Sequence, residues 1–422
     1  MMKSKLLYLI LAAGLMLTQC RTPARISHQN LSFIYQQDNQ NIHPHFVTYH
    51  ISDSLTRIFY KLNSSDLLYS KKGGDNHYIA RFAFHCTLYD SYEYELIHDS
   101  TTIYLEHTGD NGISQRISGS FDLPVKDGRN YLLEIKCHDI NRNEKVINYI
   151  DIKKEKPGNR QYFYLKSGEN AQPLVRNYFA LNEPFTLETS LKGIKELTVR
   201  YYQREFDLPA PPFSTAVSKS FNYSADSTFV LELDENGQLT TSLNKTGFYH
   251  FLMDSTSREG LTVYAFGDHF PKVTTVPSML HPLRYLTTQQ EYDHMENEAN
   301  KQEAVDEFWR SSGGSDDKSR DLIRKYYTRV EQANDYFTSY LEGWKTDRGL
   351  VYVIFGQPNV IYKTSNSESW VYGEEHNALS MQFTFVKVNN PFTDNDYSMN
   401  RSPIYKNSWY RAVDTWRQGR IY

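Results

Sequence analysis

The spacing of apolar residues changes along this 422-residue chain, and that change constrains the fold more than any other feature. Between residues 30 and 265, short runs such as Ala80–Leu88 alternate apolar and polar residues, with turn-forming residues between the runs. A period of two is typical of strands that bury one face. After about residue 285, apolar residues recur at steps of three or four, as in amphipathic helices. The sequence therefore predicts a β-rich part followed by a part that contains helices.

Proline and glycine divide the chain further. The charged stretch Lys153–Gly158 ends in Pro-Gly and marks a linker inside the β-rich part, and prolines cluster again between residues 271 and 282. Many short strands with regular turn signals suggest β-sandwiches. We therefore predict two immunoglobulin- or fibronectin-like sandwiches, over residues 28–155 and 157–270, followed by an α+β domain over residues 285–422.

The C-terminal domain is predicted to contain two helices and a small sheet. A threonine cap followed by acidic residues begins the first helix, which we expect from about residue 288 to 309. The apolar stripe of the second helix runs from about residue 317 to 342. Leu350–Phe355 is apolar at every position, which favours a strand that is buried on both faces.

The N-terminal residues have the layout of a bacterial secretory signal. Two lysines precede the uncharged apolar stretch Leu6–Leu17, which is too short to span a bilayer, and Cys20 follows shortly after it. A cysteine at this position resembles a lipobox. We therefore expect residues 1–19 to be a signal peptide, Cys20 to be acylated, and residues 20–27 to form a lipidated tether. An ordinary secreted protein, in which Cys20 has no role, is the alternative.

Cys86 and Cys137 lie in one predicted sandwich, and both point to the inner face of their strands. An oxidising periplasm would allow a disulfide between them, so a disulfide is one of two interpretations of the pair. Two buried free thiols are the alternative, because cysteine packs well as a small apolar residue.

The stretch Leu341–Tyr362 is the candidate functional corner of the chain. Gly343 suits the left-handed end of a helix, and Trp344 suits a large apolar plug under it. Thr346 and Asp347 suit a tight turn, which Gly349 would leave with a positive φ. With residues that follow in sequence, the corner comprises Gly343, Trp344, Thr346, Asp347, Arg348, Gly349, Gly356, Pro358, Glu368 and Trp370.

Local structure does not require the neighbouring charges Asp347 and Arg348. Together with Glu368, and with Asp335 or Arg329, they are the candidate cluster for chemistry in the chain. A carboxylate beside an arginine stays ionised, which makes it a poor general acid near neutral pH. The sequence also lacks the common zinc, serine-hydrolase and phosphate-loop motifs. We therefore predict no enzymatic activity, no metal and no cofactor, and interpret the pair as a structural tie or as a polar binding corner.

The order of these motifs resembles the GWxTD domain, which occurs in lipoproteins of diderm bacteria. The resemblance rests on Arg329–Phe337, Gly343–Gly349, Val353–Pro358 and Glu368–Tyr372. It covers about residues 285–420 and implies N-terminal β modules and a lipid anchor, but no catalytic residue. Residues 21–25 lack the acidic cluster that marks such lipoproteins for surface export, which favours the periplasmic face of the outer membrane.

Composition and the chain end bear on function. A net charge of −4 argues against a nucleic-acid-binding protein. The segment Ser408–Arg417 combines Trp, Tyr and Arg, which are enriched at protein interfaces, although a helix packed on its own domain explains them equally. We expect a non-catalytic envelope protein, projected from its lipid anchor by the sandwiches, that is an accessory or scaffold subunit of an outer-membrane assembly or secretion complex. The alternative is a glycan- or peptidoglycan-binding module with tryptophans in a cleft.

Replacing the anchoring cysteine tests the localisation. Cys20→Ala removes the thiol that would carry the acyl chains, so the variant should leave the membrane fraction, whereas the unchanged protein should stay in it. Membrane fractionation with detection of the protein measures this. An unchanged distribution would reject the anchor.

Overall fold

The computed structural model describes residues 25–36, 40–71, 77–94, 96–109, 114–167, 173–215, 221–267, 269–375, 377 and 380–421. The predicted signal peptide, Cys20 and most of the predicted tether lie outside these residues. The described chain forms several β-sheets followed by a C-terminal region that contains most of the helices. None of the described helices is long and apolar enough to cross a membrane.

The first unit packs a three-stranded sheet against a five-stranded sheet. Its strands are β1 (His45–Ser52), β2 (Leu55–Asn63), β3 (Ser70–Lys71), β4 (Tyr78–Tyr89), β5 (Ile97–Gly109), β6 (Arg116–Pro124), β7 (Asn130–Asp139) and β8 (Glu144–Lys153). The sheets have the orders β1-β2-β6 and β3-β4-β7-β8, and β5 pairs with β4. The predicted alternation is confirmed in β4, where Phe82, Phe84 and Leu88 enter the shared core with Ile58 of β2.

Cys86 and Cys137 are both free and buried, so the possible disulfide is not formed and the alternative of two buried thiols is correct. Both point inward as predicted, but they lie on adjacent strands of one sheet, where Cys86 is opposite Ile135 and Cys137 is opposite Phe84. Diagonal neighbours of this kind have Cα atoms about 7–8 Å apart, beyond the usual span of a disulfide. Burial raises the pKa of each thiol to about 12, so both behave as apolar core residues.

The second unit packs a three-stranded sheet against a four-stranded sheet. Its strands are β9 (Phe163–Lys166), β10 (Phe185–Thr189), β11 (Glu196–Tyr202), β12 (Ser227–Glu232), β13 (Gln238–Thr241), β14 (Gly247–Leu252) and β15 (Leu261–Ala265). The orders are β13-β10-β9 and β12-β11-β14-β15. Leu187, Val199 and Val263 are fully buried between the two sheets.

The C-terminal unit surrounds a four-stranded antiparallel sheet with helices. The helices are α1 (Val276–Leu280), α2 (Gln289–Asn297), α3 (Lys301–Gly313), α4 (Asp316–Phe337), α5 (Asp347–Phe355) and α6 (Lys406–Arg417). The strands β16 (Val360–Lys363), β17 (Ser367–Tyr372), β18 (Met381–Lys387) and β19 (Tyr397–Met399) pair in sequence order. The prediction of two helices is therefore wrong for this unit, whose described residues form six α-helices.

The predicted helix boundaries are partly correct. Thr288 caps α2, because its hydroxyl accepts a hydrogen bond from the Glu291 N–H at 3.2 Å while the Glu291 carboxylate accepts one from the Thr288 N–H at 2.8 Å. The helix predicted to continue to residue 309 breaks, however, because Asn300 caps a new helix by accepting from the Glu303 N–H. The helix α4 ends at Phe337, five residues before its predicted end.

The strand predicted over Leu350–Phe355 is wrong, because these residues form most of α5. Residues 348–355 are all buried, so the helix has no polar face. A continuous apolar run does not distinguish a buried strand from a buried helix. The hydroxyl of Thr346 accepts a hydrogen bond from the Gly349 N–H at 3.0 Å and thereby caps a helix, where we predicted a tight turn.

Residues 388–396, here called the junction loop, connect the C-terminal unit with the second sandwich. The ring of Phe392 lies 5.0 Å from the rings of both Tyr202 and Phe248, on the outer face of the four-stranded sheet. The hydroxyl of Tyr264 donates to the Phe392 carbonyl at 3.2 Å. This aromatic cluster buries one face of the sandwich against the C-terminal unit.

Charged side chains also connect the first sandwich to the C-terminal unit near this loop. Asp394 of the junction loop binds both Lys153, the first residue of the predicted linker between the sandwiches, and Arg160, which follows that linker. The carboxylate of Glu93, from the first sandwich, accepts hydrogen bonds at 2.7 Å from both the N–H and the hydroxyl of Ser365. The C-terminal unit is therefore bonded to both sandwiches.

Residues 25–36 pack on the C-terminal unit, although the sequence grouped residues from 28 onward with the first sandwich. They form two short 3₁₀ turns, and Ile26, Leu31 and Tyr35 join the C-terminal core. The Leu31 N–H donates to the Ile361 carbonyl of β16 at 2.8 Å. We call this stretch the N-terminal strap.

Candidate functional site

The two glycines of the candidate corner allow close packing of backbones. A Cβ on Gly343 would lie 1.9 Å from the Ala333 carbonyl oxygen of α4, and a Cβ on Gly349 would lie 2.0 Å from the Gly343 carbonyl oxygen. Neither glycine has a positive φ, so the predicted left-handed roles are wrong for both. Any side chain at either position would separate α5 from its neighbours.

Trp344 is the apolar plug that the sequence predicted. Its side chain is buried, and its ring centre lies 5.8 Å from that of Tyr285. The Trp344 N–H donates to the Asn334 side-chain oxygen at 3.2 Å, and its carbonyl accepts from the Tyr285 hydroxyl at 2.8 Å. The plug thus joins α4 to the segment before α2.

The Glu368 carboxylate is the centre of a buried polar network. It accepts hydrogen bonds from the Tyr35 hydroxyl at 3.0 Å, Arg348 Nη1 at 3.2 Å, Lys363 Nζ at 2.9 Å and Trp370 Nε1 at 3.2 Å. Glu368 is 0% exposed and Arg348 is 1% exposed. The carboxylate and the Arg348 guanidinium therefore lie in the interior, whereas the Lys363 side chain is 21% exposed.

The second half of the Arg348 guanidinium is also fully occupied. Its Nη2 atom donates to the backbone carbonyl of Asn395 at 2.9 Å and to the Asn395 side-chain oxygen. The guanidinium lies 4.0 Å from the ring centre of Tyr397 and 5.0 Å from that of Phe337. These rings replace water around the planar cation, which suits arginine better than lysine.

The charges in this network stabilise one another. Burial alone would raise the pKa of Glu368, but Lys363 and Arg348 lower it to about 2. The same carboxylate raises the pKa of Lys363 and of Arg348 against the opposing effect of burial. All three groups therefore stay ionised near neutral pH, and Glu368 is a poor proton donor.

Asp347 does not join this network. Its carboxylate accepts a hydrogen bond from the Met399 N–H at 2.7 Å and pairs with Arg401. Arg401 also donates to the Ala210 carbonyl at 3.1 Å, so this pair ties α5 to β19 and to the second sandwich. Asp347 and Arg348 were predicted to act together, but each belongs to a separate set of contacts.

The remaining residues of the predicted cluster lie elsewhere. Arg329 donates to the Ile354 carbonyl at 3.0 Å, and its guanidinium lies 5.1 Å from the Trp416 ring centre. Burial raises the pKa of Asp335, which is outside the network. Gly356 ends α5 with φ 80°, and Pro358 is buried after it. The structure therefore divides the candidate corner into several structural contacts.

Four members of the network were missed in the sequence. They are Tyr35, Lys363, Asn395 and Tyr397. Tyr35 is 333 residues from Glu368, and no local pattern connects the two positions. Lys363 could have been suspected, because it is the charged last residue of β16 and lies directly opposite Glu368 of β17.

The helix α6 has one face in the core and one face that is exposed. Trp409 and Trp416 face the core, whereas Tyr410 is 49% exposed. A largely apolar groove of about 680 Å³ lies beside this face, between α6 and a proline-rich segment of the second sandwich. Its lining includes Leu208, Pro209, Pro211, Phe213, Tyr410 and Val413. Among the described residues, no group of three or more His, Cys, Asp or Glu side chains is placed to hold a metal ion.

These features define a β-rich multidomain protein whose C-terminal α+β unit is built around a buried ion-pair network. Residues 247–418 match the family model of the GWxTD domain, so this part of the chain is a GWxTD domain. The matched region begins in β14 of the second sandwich, which agrees with the dense contacts between that sandwich and the C-terminal unit.

Other comparisons add little. No curated protein matches the chain. Among solved structures, the crystal structure of red sea bream transglutaminase aligns at 10% identity over 56% of this chain and 33% of that chain, with a TM-score of 0.18. The match spans about one third of the transglutaminase, and a similarity of this size supports no inference about fold or activity.

Removing the central carboxylate should destabilise the domain. Glu368→Gln leaves Arg348 and Lys363 buried without a counter-charge, so we expect a loss of about 3–5 kcal/mol in the free energy of unfolding near pH 7. Because the pKa of Glu368 is lowered from 4.5 to about 2, its stabilising contribution is lost as pH falls towards 2. The difference between the two proteins should therefore shrink below about pH 4 in chemical denaturation.

Lys363→Met is the matched control for this measurement. It removes one of the two cations but keeps the Arg348–Glu368 pair, so its loss should be clearly smaller. Equal losses in the two variants, or a loss for Glu368→Gln that does not change with pH, would contradict the central role of Glu368.

For a partly buried carboxylate in the junction loop we expect the opposite pH dependence. Burial raises the pKa of Asp396 in the junction loop from 3.8 to about 6. A carboxyl whose pKa is higher in the folded protein than in the unfolded chain contributes its full stability at pH values below the unfolded pKa. That contribution is lost as pH rises through the folded pKa of about 6. Asp396→Asn should therefore exceed the natural protein in stability by about 2–3 kcal/mol at pH 8, and the two should converge near pH 4. A gap that stays constant between these pH values would reject the assignment.

Proposed function

We propose that this protein is a non-catalytic, lipid-anchored envelope protein that acts as an accessory or scaffold subunit of an outer-membrane protein assembly or secretion complex. In this proposal Cys20 carries the acyl chains and the protein lies on the periplasmic face of the outer membrane. The two sandwiches are proposed to be immunoglobulin-like or fibronectin-like. The GWxTD domain contacts a protein partner.

The observation that carries this proposal is the burial of the family motif. The polar side chains of Thr346, Arg348 and Glu368 are buried and bonded to other parts of the same chain. A catalytic group has to reach a substrate, and these groups cannot do so without unfolding the corner. The motif therefore supports the fold, and the surface of the domain is left for recognition.

The face of α6 and its groove have the chemistry of a protein interface. Tyr410 is exposed beside apolar and proline side chains, and aromatic residues are enriched at the centres of interfaces. The charged residues that line the groove are Arg284, Arg417 and Asp414, and the exposed side of α6 also carries Lys406 and Arg411. This excess of positive charge favours an acidic partner segment that also bears apolar side chains.

The glycan-binding alternative has weaker support. It requires tryptophans that are open in a cleft, but each of the five tryptophans is at most 5% exposed. A polar cavity of about 390 Å³ does lie where the three units meet, and Asn130, Asn366 and Asn390 line it. Amide side chains of this kind can donate to and accept from sugar hydroxyls.

Site-specific crosslinking tests the protein-binding proposal. A photoreactive amino acid replaces Tyr410 in the full-length protein, and the cells are irradiated before membrane extraction. We expect one reproducible adduct with another envelope protein, identified by mass spectrometry. Excess unmodified protein should compete for the partner and reduce the adduct. The Tyr410→Glu variant should not compete, because it would bury a carboxylate against an apolar, acidic partner.

Arg320 provides the control position, because its side chain is 76% exposed on α4. The same photoreactive residue at this position should give no such adduct. Identical adducts at both positions, or none at Tyr410, would count against partner binding through α6. In either of these two cases, retention of the protein on purified peptidoglycan would favour the glycan-binding alternative.

A further inference from the structure

The strand β5 of the first sandwich has an open edge. It contains 13 residues, about twice the usual length of a strand. One of its edges pairs with β4, and no other strand among the described residues pairs with it. The second edge therefore presents backbone N–H and carbonyl groups that can bond an added strand.

The middle of β5 lacks the usual protection of an edge strand. Proteins commonly place lysine, proline or another charged residue on strand edges that must stay unpaired. The stretch Ser100–Leu105 contains none of these, and most of its residues favour strands. The irregularity in the pairing with β4 lies at Leu88 and Tyr89, opposite the start of β5 and outside this stretch. The stretch is therefore suited to pairing with another strand.

The sequence of β5 identifies a second copy of the same strand as the matching partner. Side chains at odd-numbered positions lie on the core side of the sheet, because Ile103 is opposite Phe84 and Leu105 is opposite Phe82, which are core residues. A two-fold axis perpendicular to the sheet reverses the strand direction and keeps the core-side residues of both copies on one side. With this axis at Ile103, that residue lies opposite Ile103 of the second copy.

The other pairs in this register are complementary as well. Aliphatic residues meet on the core side, a threonine meets a tyrosine on the outer face, and each acid meets a hydrogen-bond donor, all of which are favourable cross-strand pairs. The Asp99 carboxylate accepts from the Ser100 N–H at 2.8 Å, and no basic side chain of the described residues pairs with it. The pairs, each of which occurs twice, are Thr101 with Leu105, Asp99 with His107, Thr102 with Tyr104 and Ser100 with Glu106.

The neighbouring symmetric registers lack this complementarity. With Thr102 at the axis, the Asp99 carboxylate would lie opposite Leu105 of the second copy. With Tyr104 at the axis, it would lie opposite Gly109. Neither residue has a side chain that can donate to the carboxylate. The match of charge and of apolar side chains therefore favours the register that is centred on Ile103.

We propose that the protein forms a homodimer in which β5 pairs antiparallel with β5 of a second copy, with Ile103 on the two-fold axis. The contact joins two sheets into one continuous sheet with five strands from each copy. It uses residues of the first sandwich and does not depend on the lipid anchor or on the groove beside α6. A dimer of this kind carries two copies of the α6 face.

Disulfide crosslinking of Ile103→Cys tests the two-fold axis. Opposite residues of antiparallel strands have Cα atoms about 4.5–5.5 Å apart, within the usual span of a disulfide. Oxidation of the full-length variant with copper-phenanthroline should therefore give a covalent dimer on a non-reducing gel. Cys86 and Cys137 are buried with thiol pKa values of about 12, so they should not react. The natural protein, oxidised in parallel, reports any dimer that forms through Cys20.

Two further cysteine variants test the register. Thr101→Cys or Leu105→Cys alone places the two equivalent thiols four residues apart, about 13 Å along the strand, so neither should crosslink with itself. A mixture of the two variants should give a crosslinked heterodimer, because Thr101 lies opposite Leu105 of the second copy. Val230→Cys is the control for random collision, because Val230 is 51% exposed on β12, an edge strand of the second sandwich.

Thr101→Lys tests the same contact without a crosslink. Thr101 is exposed, so the lysine can reach water in a single copy, but in the dimer it would lie opposite Leu105. Light scattering of detergent-solubilised protein should give twice the chain mass for the natural protein and for the control Thr228→Lys on β12, and one chain mass for Thr101→Lys. Thermal unfolding shows whether each variant is folded. Failure of the Ile103→Cys crosslink, or a dimer mass that survives Thr101→Lys, overturns the proposal.

Discussion

The buried carboxylate of Glu368 is the interaction on which the C-terminal domain depends. A buried ion is costly unless hydrogen bonds and opposite charges replace the water that it loses. The donors around Glu368 come from the N-terminal strap (Tyr35), α5 (Arg348), β16 (Lys363) and β17 (Trp370). Four separate parts of the chain must therefore be in place before this charge is satisfied, which makes the network a check on correct assembly of the domain.

The same principle joins the domain to the sandwiches. Asp394 is held between Lys153 and Arg160, and these cations lower its pKa against the effect of burial. Beside it, Phe392 fills an aromatic cluster on the second sandwich. Charged and apolar contacts thus converge on one short loop, so a shift of the GWxTD domain would break both at once. The sandwiches and the GWxTD domain are consequently expected to move together.

Residue patterns predicted the parts of this structure that depend on local periodicity or capping. The inward face of β4 and the Thr288 cap are examples, because each depends on residues a few positions apart. The strand predicted over Leu350–Phe355 was wrong because an apolar run carries no period. Asp347 and Arg348 were grouped as a pair, but successive side chains on a helix point about 100° apart, so they reach different partners. Tyr35 was missed because its contact with Glu368 spans most of the chain.

The position of Tyr35 also connects the proposed anchor with the buried network. Tyr35 lies fifteen residues after Cys20, and the strap between them is bonded to β16 and to the first sandwich. If Cys20 carries the proposed acyl chains, a pull on them is transmitted to the strap, which includes one of the four donors to Glu368. Because loss of that donor would leave a buried charge less well satisfied, the proposed anchor would be mechanically coupled to the stability of the GWxTD core. Such a coupling would give the buried motif a role in an anchored protein without assigning it any chemistry.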